Sequence, residues 1–233
     1  MFVVSRAIAC GFLLFVPCIY GQDNTLERLG SDFNSKGVGL TETLLKFSHQ
    51  QHLRIAIEYV DRASMDQPII VNLENKTVRQ GLDTILRSGH GYSWRLRDGI
   101  IDVTNSRGSK RADKHLKTVI PVLKMADGDN AKMASVMLWW NLQLKLDPEL
   151  KVFGGDIMYG AEASTVKPAV LHNRTVREIL GYIVLNSRAE GWIVAGPPEC
   201  LGFTPYCGLW CLIEAVPSTP SYELLLRDIR KNL

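Results

Sequence analysis

The chain is poor in residues and motifs that would announce a chemistry. Its 233 residues include five cysteines and five histidines, and no Cys-x-x-Cys pair occurs. Cys200, Cys207 and Cys211 follow one another without a nearby histidine, which argues against a structural zinc site with its four nitrogen or sulfur ligands. Nucleophile-elbow, zinc-protease and phosphate-loop patterns are all missing. Gly89-His90-Gly91 is a loop and not a nucleotide fingerprint. His49 and His52 stand three residues apart near a helix end without an acidic or thiol partner, and read as surface residues. No catalytic, cofactor-binding or metal-binding residue is therefore assigned. Charge of one sign is lacking too. Twenty-seven Lys and Arg against 24 Asp and Glu leave a net charge of +3, too weak an excess to argue for nucleic acid. The basic run over residues 107–117 reads as a solvated linker, because it lacks the aromatic or further basic support of a phosphate-contacting patch.

What is there begins with an apolar, uncharged stretch over residues 7–20, behind Arg6 and ahead of Gln22-Asp23-Asn24. It is shorter than the ~20 residues a bilayer-spanning helix needs and has the form of a secretory signal. The expectation is a signal peptide over residues 1–21, cleaved after the small Gly21, with no membrane span left after cleavage. An uncleaved anchor is the competing reading. Export would remove Cys10 and Cys18 and place the remaining three cysteines in an oxidising compartment, where two of them are expected to pair. A composition of 46% apolar and 22% charged residues supplies an ordinary globular core.

The sequence repeats itself. Residues 73–94 align without a gap to residues 171–192, at a constant offset of 98, with eight of 22 positions identical. They are Leu73/Leu171, Asn75/Asn173, Thr77/Thr175, Val78/Val176, Arg79/Arg177, Leu82/Leu180, Ile85/Ile183 and Trp94/Trp192. Such a repeat points to duplicated modules. Thr77 with Gln80, and Thr175 with Glu178, have capping-box spacing. Apolar residues then follow at helical spacing: Val78, Leu82, Ile85 and Leu86 in one copy, Val176, Leu180, Ile183 and Val184 in the other. The first helix is expected to stop near Ser88-Gly89, with glycine as a left-handed cap. Asn75-Lys76-Thr77 and Asn173-Arg174-Thr175 also match a glycosylation sequon, but capping explains their repetition.

Strands are expected around these helices. Residues 53–59 alternate as a half-buried strand, and 69–73 form a β-branched run. Residues 92–97 and 100–104 flank Asp98-Gly99, a hairpin turn. A helix is expected over residues 40–51, with Leu40, Leu44, Leu45 and Phe47 on its apolar side. In the second copy, strands are expected over 118–124, 151–157, 166–171, 191–195 and 208–215. A helix over 131–144 would present Met133, Val136, Met137, Trp140 and Leu144, and a terminal helix would span 222–233. A loop over 196–207 replaces the short hairpin turn of the first copy. A Cys200–Cys207 bridge would close it, with Cys211 as the alternative partner of either.

The residues at 40–45 (Leu-Thr-Glu-Thr-Leu-Leu), at 75–82 (Asn-Lys-Thr-Val-Arg-Gln-Gly-Leu) and at 92–103 make the first copy resemble the short N-terminal domain of secretins and TonB-dependent receptors. The resemblance covers residues 38–105, with 118–215 as a diverged second copy. It implies an α+β protein of two small β-α-β-β-α-β-β modules in tandem. A flexible segment over 22–37 would precede the first module, a linker over 106–117 would join the two, and a helical tail over 216–233 would follow. It also implies a periplasmic place in a Gram-negative envelope, or release from the cell, with outer-membrane association as a further option. The partner would be another envelope protein: a secretin, a TonB-system component or a regulator. No β-barrel or channel segment is contained in the 233 residues, so a free-standing interaction protein is expected. Trp139, beside Trp140, and Phe203, Tyr206 and Trp210 are the candidate contact residues. A protein binding a small molecule or glycan between the modules through Trp139, Tyr206 or Trp210 is the second reading. An enzyme with dispersed catalytic residues is the third.

Overall fold

The computed structural model describes residues 23–60, 62–89, 91–106, 109–146, 165–195, 214–216, 226, 227 and 230. The elements run α1 (Asp23–Glu27), β1 (Phe33–Val38), α2 (Leu40–Gln50), β2 (Ile55–Val60), α3 (Arg62–Asp66), β3 (Ile69–Leu73), α4 (Val78–Ser88), β4 (Tyr92–Arg97) and β5 (Ile100–Asn105). They continue with α5 (Ser109–Leu116), β6 (Val119–Met125), α6 (Ala131–Leu146), β7 (Ala169–Thr175), α7 (Val176–Leu185), β8 (Gly191–Ala195) and β9 (Glu214–Val216). The fold is of mixed α and β type.

The repeated segment folds the same way twice. Thr77 accepts from the Gln80 amide at 3.2 Å, while the Gln80 side chain accepts from the Thr77 amide at 3.0 Å. Thr175 and Glu178 reproduce the pair at 3.2 and 2.7 Å. Both boxes satisfy amides that a helix start leaves orphaned. Two residues ahead of each cap stands a left-handed asparagine, Asn75 at φ 53° and Asn173 at φ 50°. Asparagine tolerates that region better than any other residue except glycine. Backbone geometry therefore accounts for the asparagine of each apparent sequon. The expected stripes of α4 and α7 are buried, together with Gly81 and Ile179. Asp98 (φ 49°) and Gly99 (φ 79°) form the expected hairpin turn. The cap of α4 differs from expectation: Gly89 is extended, at φ −104° and ψ 105°. A Cβ at this position would lie 2.2 Å from Leu40 Cδ2.

The two halves of the chain share one sheet. The strand order is β4-β5-β2-β8-β9, with β2 parallel to both β5 and β8 and a hairpin on either flank. Two-stranded ladders, β1–β3 and β6–β7, complete the described pairing. Alternate residues of the central strands enter opposite cores. Ile55, Ile57, Ile101, Val103 and Ile193 pack with α2, α3 and α4, whereas Ala56, Ile100, Trp192 and Val194 pack with α5, α6 and α7. β2 is consequently buried at all six positions. The half-buried alternation expected for it does not hold, because the second half covers the face carrying Ala56 and Glu58. Parallel strands buried on both faces are the rule in layered α/β sheets.

Three further expectations change. The basic run is not a solvated linker over residues 109–116, which form α5 with Ala112, His115 and Leu116 buried. The segment over 22–37 carries α1 and β1, with Leu26 and Phe33 in the first core. Helix α6 buries Ala131, Ala134, Ser135, Leu138 and Leu142, not the stripe through Met133, Trp140 and Leu144. Its apolar and polar residues are spread around the helix, so periodicity gives no direction, and small residues permit the close approach. The strand expected over 151–157 lies outside the described residues. Of the tail, Leu226, Arg227 and Arg230 are helical. Leu226 joins the first core, and Arg230 pairs with Glu42 at 3.2 Å.

Candidate functional site at the junction of the two halves

A charged cluster lies where the halves meet. Glu58 of β2 and Asp102 of β5 are each only 2% exposed. Register brings them close: Asp102 sits opposite Ala56 in the parallel pairing and opposite Arg95 in the hairpin. Arg177, in the first turn of α7, donates through Nε and Nη2 to Glu58 at 3.0 and 2.8 Å and through Nη2 to Asp113 of α5 at 3.2 Å. Arg95 Nε reaches Asp102 at 3.3 Å and Arg97 Nη2 reaches it at 3.2 Å. Lys117 pairs with Asp113. The cluster thus ties β2, β4 and β5 of the first half to α7 of the second, with α5 between them. Removing one member of such a buried pair leaves an uncompensated charge.

Burial, then the hydrogen bond and negative charge of Asp102, push the Glu58 carboxyl up to about 7, against the opposing pull of Arg177. Asp102 Oδ1 has no hydrogen-bond partner among the described residues, and Glu58 in its protonated form can donate to Asp102. His115, buried on α5 beside Lys114, is pushed down from its ordinary value by desolvation first and by the lysine second. Lys117 and then Arg177 hold Asp113 below the usual carboxylate range. The Thr175 amide and hydroxyl hold Glu178 below it as well.

Two cavities flank the cluster. One, of about 550 Å³, lies between α7 and the sheet, with Ile100, Asp102, Arg177, Gly181, Tyr182 and Trp192 in its wall. The other, of about 450 Å³, lies on the β4 side, with Ser93, Arg95, Arg97, Thr104, Lys117 and Arg177 around it. Both volumes fall in the range of small-molecule sites.

The sequence-derived candidates are elsewhere. Trp139 is half-buried on α6, edge-to-face with Trp140 at 4.9 Å, and lines neither cavity. Cys200, Phe203, Tyr206, Cys207, Trp210 and Cys211 lie outside the described residues. The capping residues Thr77, Gln80, Thr175 and Glu178 are structural, though Thr175 and Glu178 also border the larger cavity. His49 reaches across the halves to Glu190 at 2.9 Å. Among the described residues no three His, Cys, Asp or Glu converge as a metal site, and no helix is long and apolar enough to cross a membrane.

Sequence reasoning missed Glu58, Asp102 and Asp113, and it read Arg177 only as a repeated position. Repetition in fact hid its role. Arg79, its equivalent, pairs with Glu27 and lies 5.4 Å above the Trp94 ring, whereas Arg177 binds the buried acids. The available signal was an acid inside each apolar strand, Ile55-Ala56-Ile57-Glu58-Tyr59-Val60 and Ile100-Ile101-Asp102-Val103. Comparison with protein-family models, with curated proteins and with solved structures returned no match.

Proposed function

We propose that this is an exported, non-catalytic interaction protein of the bacterial cell envelope. On this reading it is made with a cleaved signal peptide and consists of two duplicated modules of the secretin and TonB-receptor short N-terminal type. Its partner is another envelope protein, a secretin, TonB-system or regulatory component, met in the periplasm or at the outer membrane. The observation that carries the reading is the β6–β7 ladder. Val119, Val122 and Val170 are 45%, 47% and 51% exposed on it, and neither strand pairs with a further strand among the described residues. Unpaired strand edges beside exposed apolar side chains are suited to strand addition by a partner. Ile70 on β3, 74% exposed, repeats the feature on the β1–β3 ladder.

A photo-crosslinking residue placed at Val122 or Val170 in the full-length, exported protein tests the reading. The expected result is a recurrent crosslink to one envelope protein, lost when the neighbouring valine is changed to Lys. Folded, abundant protein that crosslinks to nothing specific would overturn it.

A further inference from the structure

We propose that the cavity bordered by β4, α5 and α7 binds a small dianionic oxyanion ligand, a phosphate ester or dicarboxylate. This inference goes beyond the protein-docking reading and does not depend on it. Four cations gather at the cavity, Arg95, Arg97, Lys117 and Arg177, together with the carboxylates Glu58 and Asp113. A third carboxylate, Asp102, is anchored to Arg95 and Arg97. Four positive groups against three negative ones leave one positive charge in excess, and a proton on Glu58 leaves two.

The outermost cations are not used up by the internal pairs. Arg95, with its side chain 56% exposed, is bonded to Asp102 only through Nε, and its Nη2 stands 4.0 Å from Glu58, beyond hydrogen-bond distance. The Lys117 side chain is 67% exposed and has Asp113 as its one ion-pair partner among the described residues. Ser93 and Thr104, paired with each other at 3.0 Å, add two hydroxyls to the same wall. Guanidinium forks match carboxylate and phosphate oxygens in geometry as well as charge. A bound dianion would also favour the protonated form of Glu58. The charged groups around Glu58 are Asp102 and Arg95 on β5 and β4, Arg177 on α7, Asp113 on α5 and Lys117 just after that helix, with the buried His115 also on α5. Anion binding and proton uptake are therefore linked.

Isothermal titration of the full-length mature protein with inorganic sulfate, dianionic throughout, and separately with succinate, tests the site at about pH 6 and about pH 8. Binding of either anion is expected, tighter at the lower pH. Arg95→Gln and Lys117→Gln should each weaken it about tenfold, the equivalent of about 1.4 kcal/mol. Arg87→Gln, exposed on α4 and outside the cavity, should leave it unchanged. Sulfate binding alone would assign a phosphate ester, and succinate binding alone a dicarboxylate. No binding of either anion by folded protein, or binding that survives both substitutions, would overturn the proposal. Glu58→Gln should remove the difference between the two pH values, and a difference that persists would overturn the proton linkage.

Discussion

At the residue scale, the two copies share one backbone geometry at their repeated helix starts. Asn75 and Asn173 hold left-handed backbone ahead of each capping box. Replacing either with Val should cost about 1–2 kcal/mol in chemical denaturation, whereas Gly should be tolerated. Thr77→Ala and Thr175→Ala should each cost about 1 kcal/mol. Glu58 and His115 set the pH dependence from opposite sides. The Glu58 carboxyl titrates at about 7 in the fold and near 4.5 in the unfolded chain. Between those values the folded state holds the extra proton, so stability is gained as pH falls through about 7 and lost as it rises. His115 is pushed below 6.5 by burial, so stability is lost as pH falls through 6.5 and the unfolded chain takes up the proton. Thermal melts should therefore show greatest stability between mildly acidic and neutral pH. Glu58→Gln should flatten the alkaline limb, by an amount on the order of 1–3 kcal/mol, and His115→Leu should flatten the acidic one. Limbs unchanged by these substitutions would refute the assignment.

At the element scale, α5 shows how composition can mislead. The run from Arg107 to Lys117 is strongly basic, but its Ala112 and Leu116 join the second core and its His115 is buried, while Lys114 and Lys117 stay exposed. A helix needs only one apolar stripe to be held against a sheet. Leu116→Ala should cost about 2–5 kcal/mol, measured by urea denaturation, where a true linker would tolerate it. Helix α6 is the converse case. A sequence with no polar face leaves its orientation to packing, and the small residues Ala131, Ala134 and Ser135 turn inward.

At the scale of the whole molecule, the decisive contact is β8 against β2. Gly191 pairs with Ile55, and a Cβ at that position would lie 1.8 Å from the Ile55 carbonyl oxygen. The equivalent position of the first half is Ser93, on the outer strand β4. Gly191→Ala should therefore lift the β8–β9 hairpin from the sheet. The expected cost is on the order of 1–3 kcal/mol or more, with faster amide exchange at Ile55 and Ile57. Unchanged exchange at those amides would show that the halves are held by helix packing and not by the shared sheet.

The sequence by itself determined the local pieces: both capping boxes, the stripes of α4 and α7, the Asp98-Gly99 hairpin and the position of most strands. Each depends on neighbours within a few residues, so the information lies in short windows of the chain. Only the tertiary structure decided that β8 joins β2, that α5 packs against the sheet, and that Glu58, Asp102, Asp113 and Arg177 meet. Glu58 and Arg177 are 119 residues apart in the chain. Nothing local to either specifies the other, because their encounter follows from strand register and from the backbone clearance at Gly191.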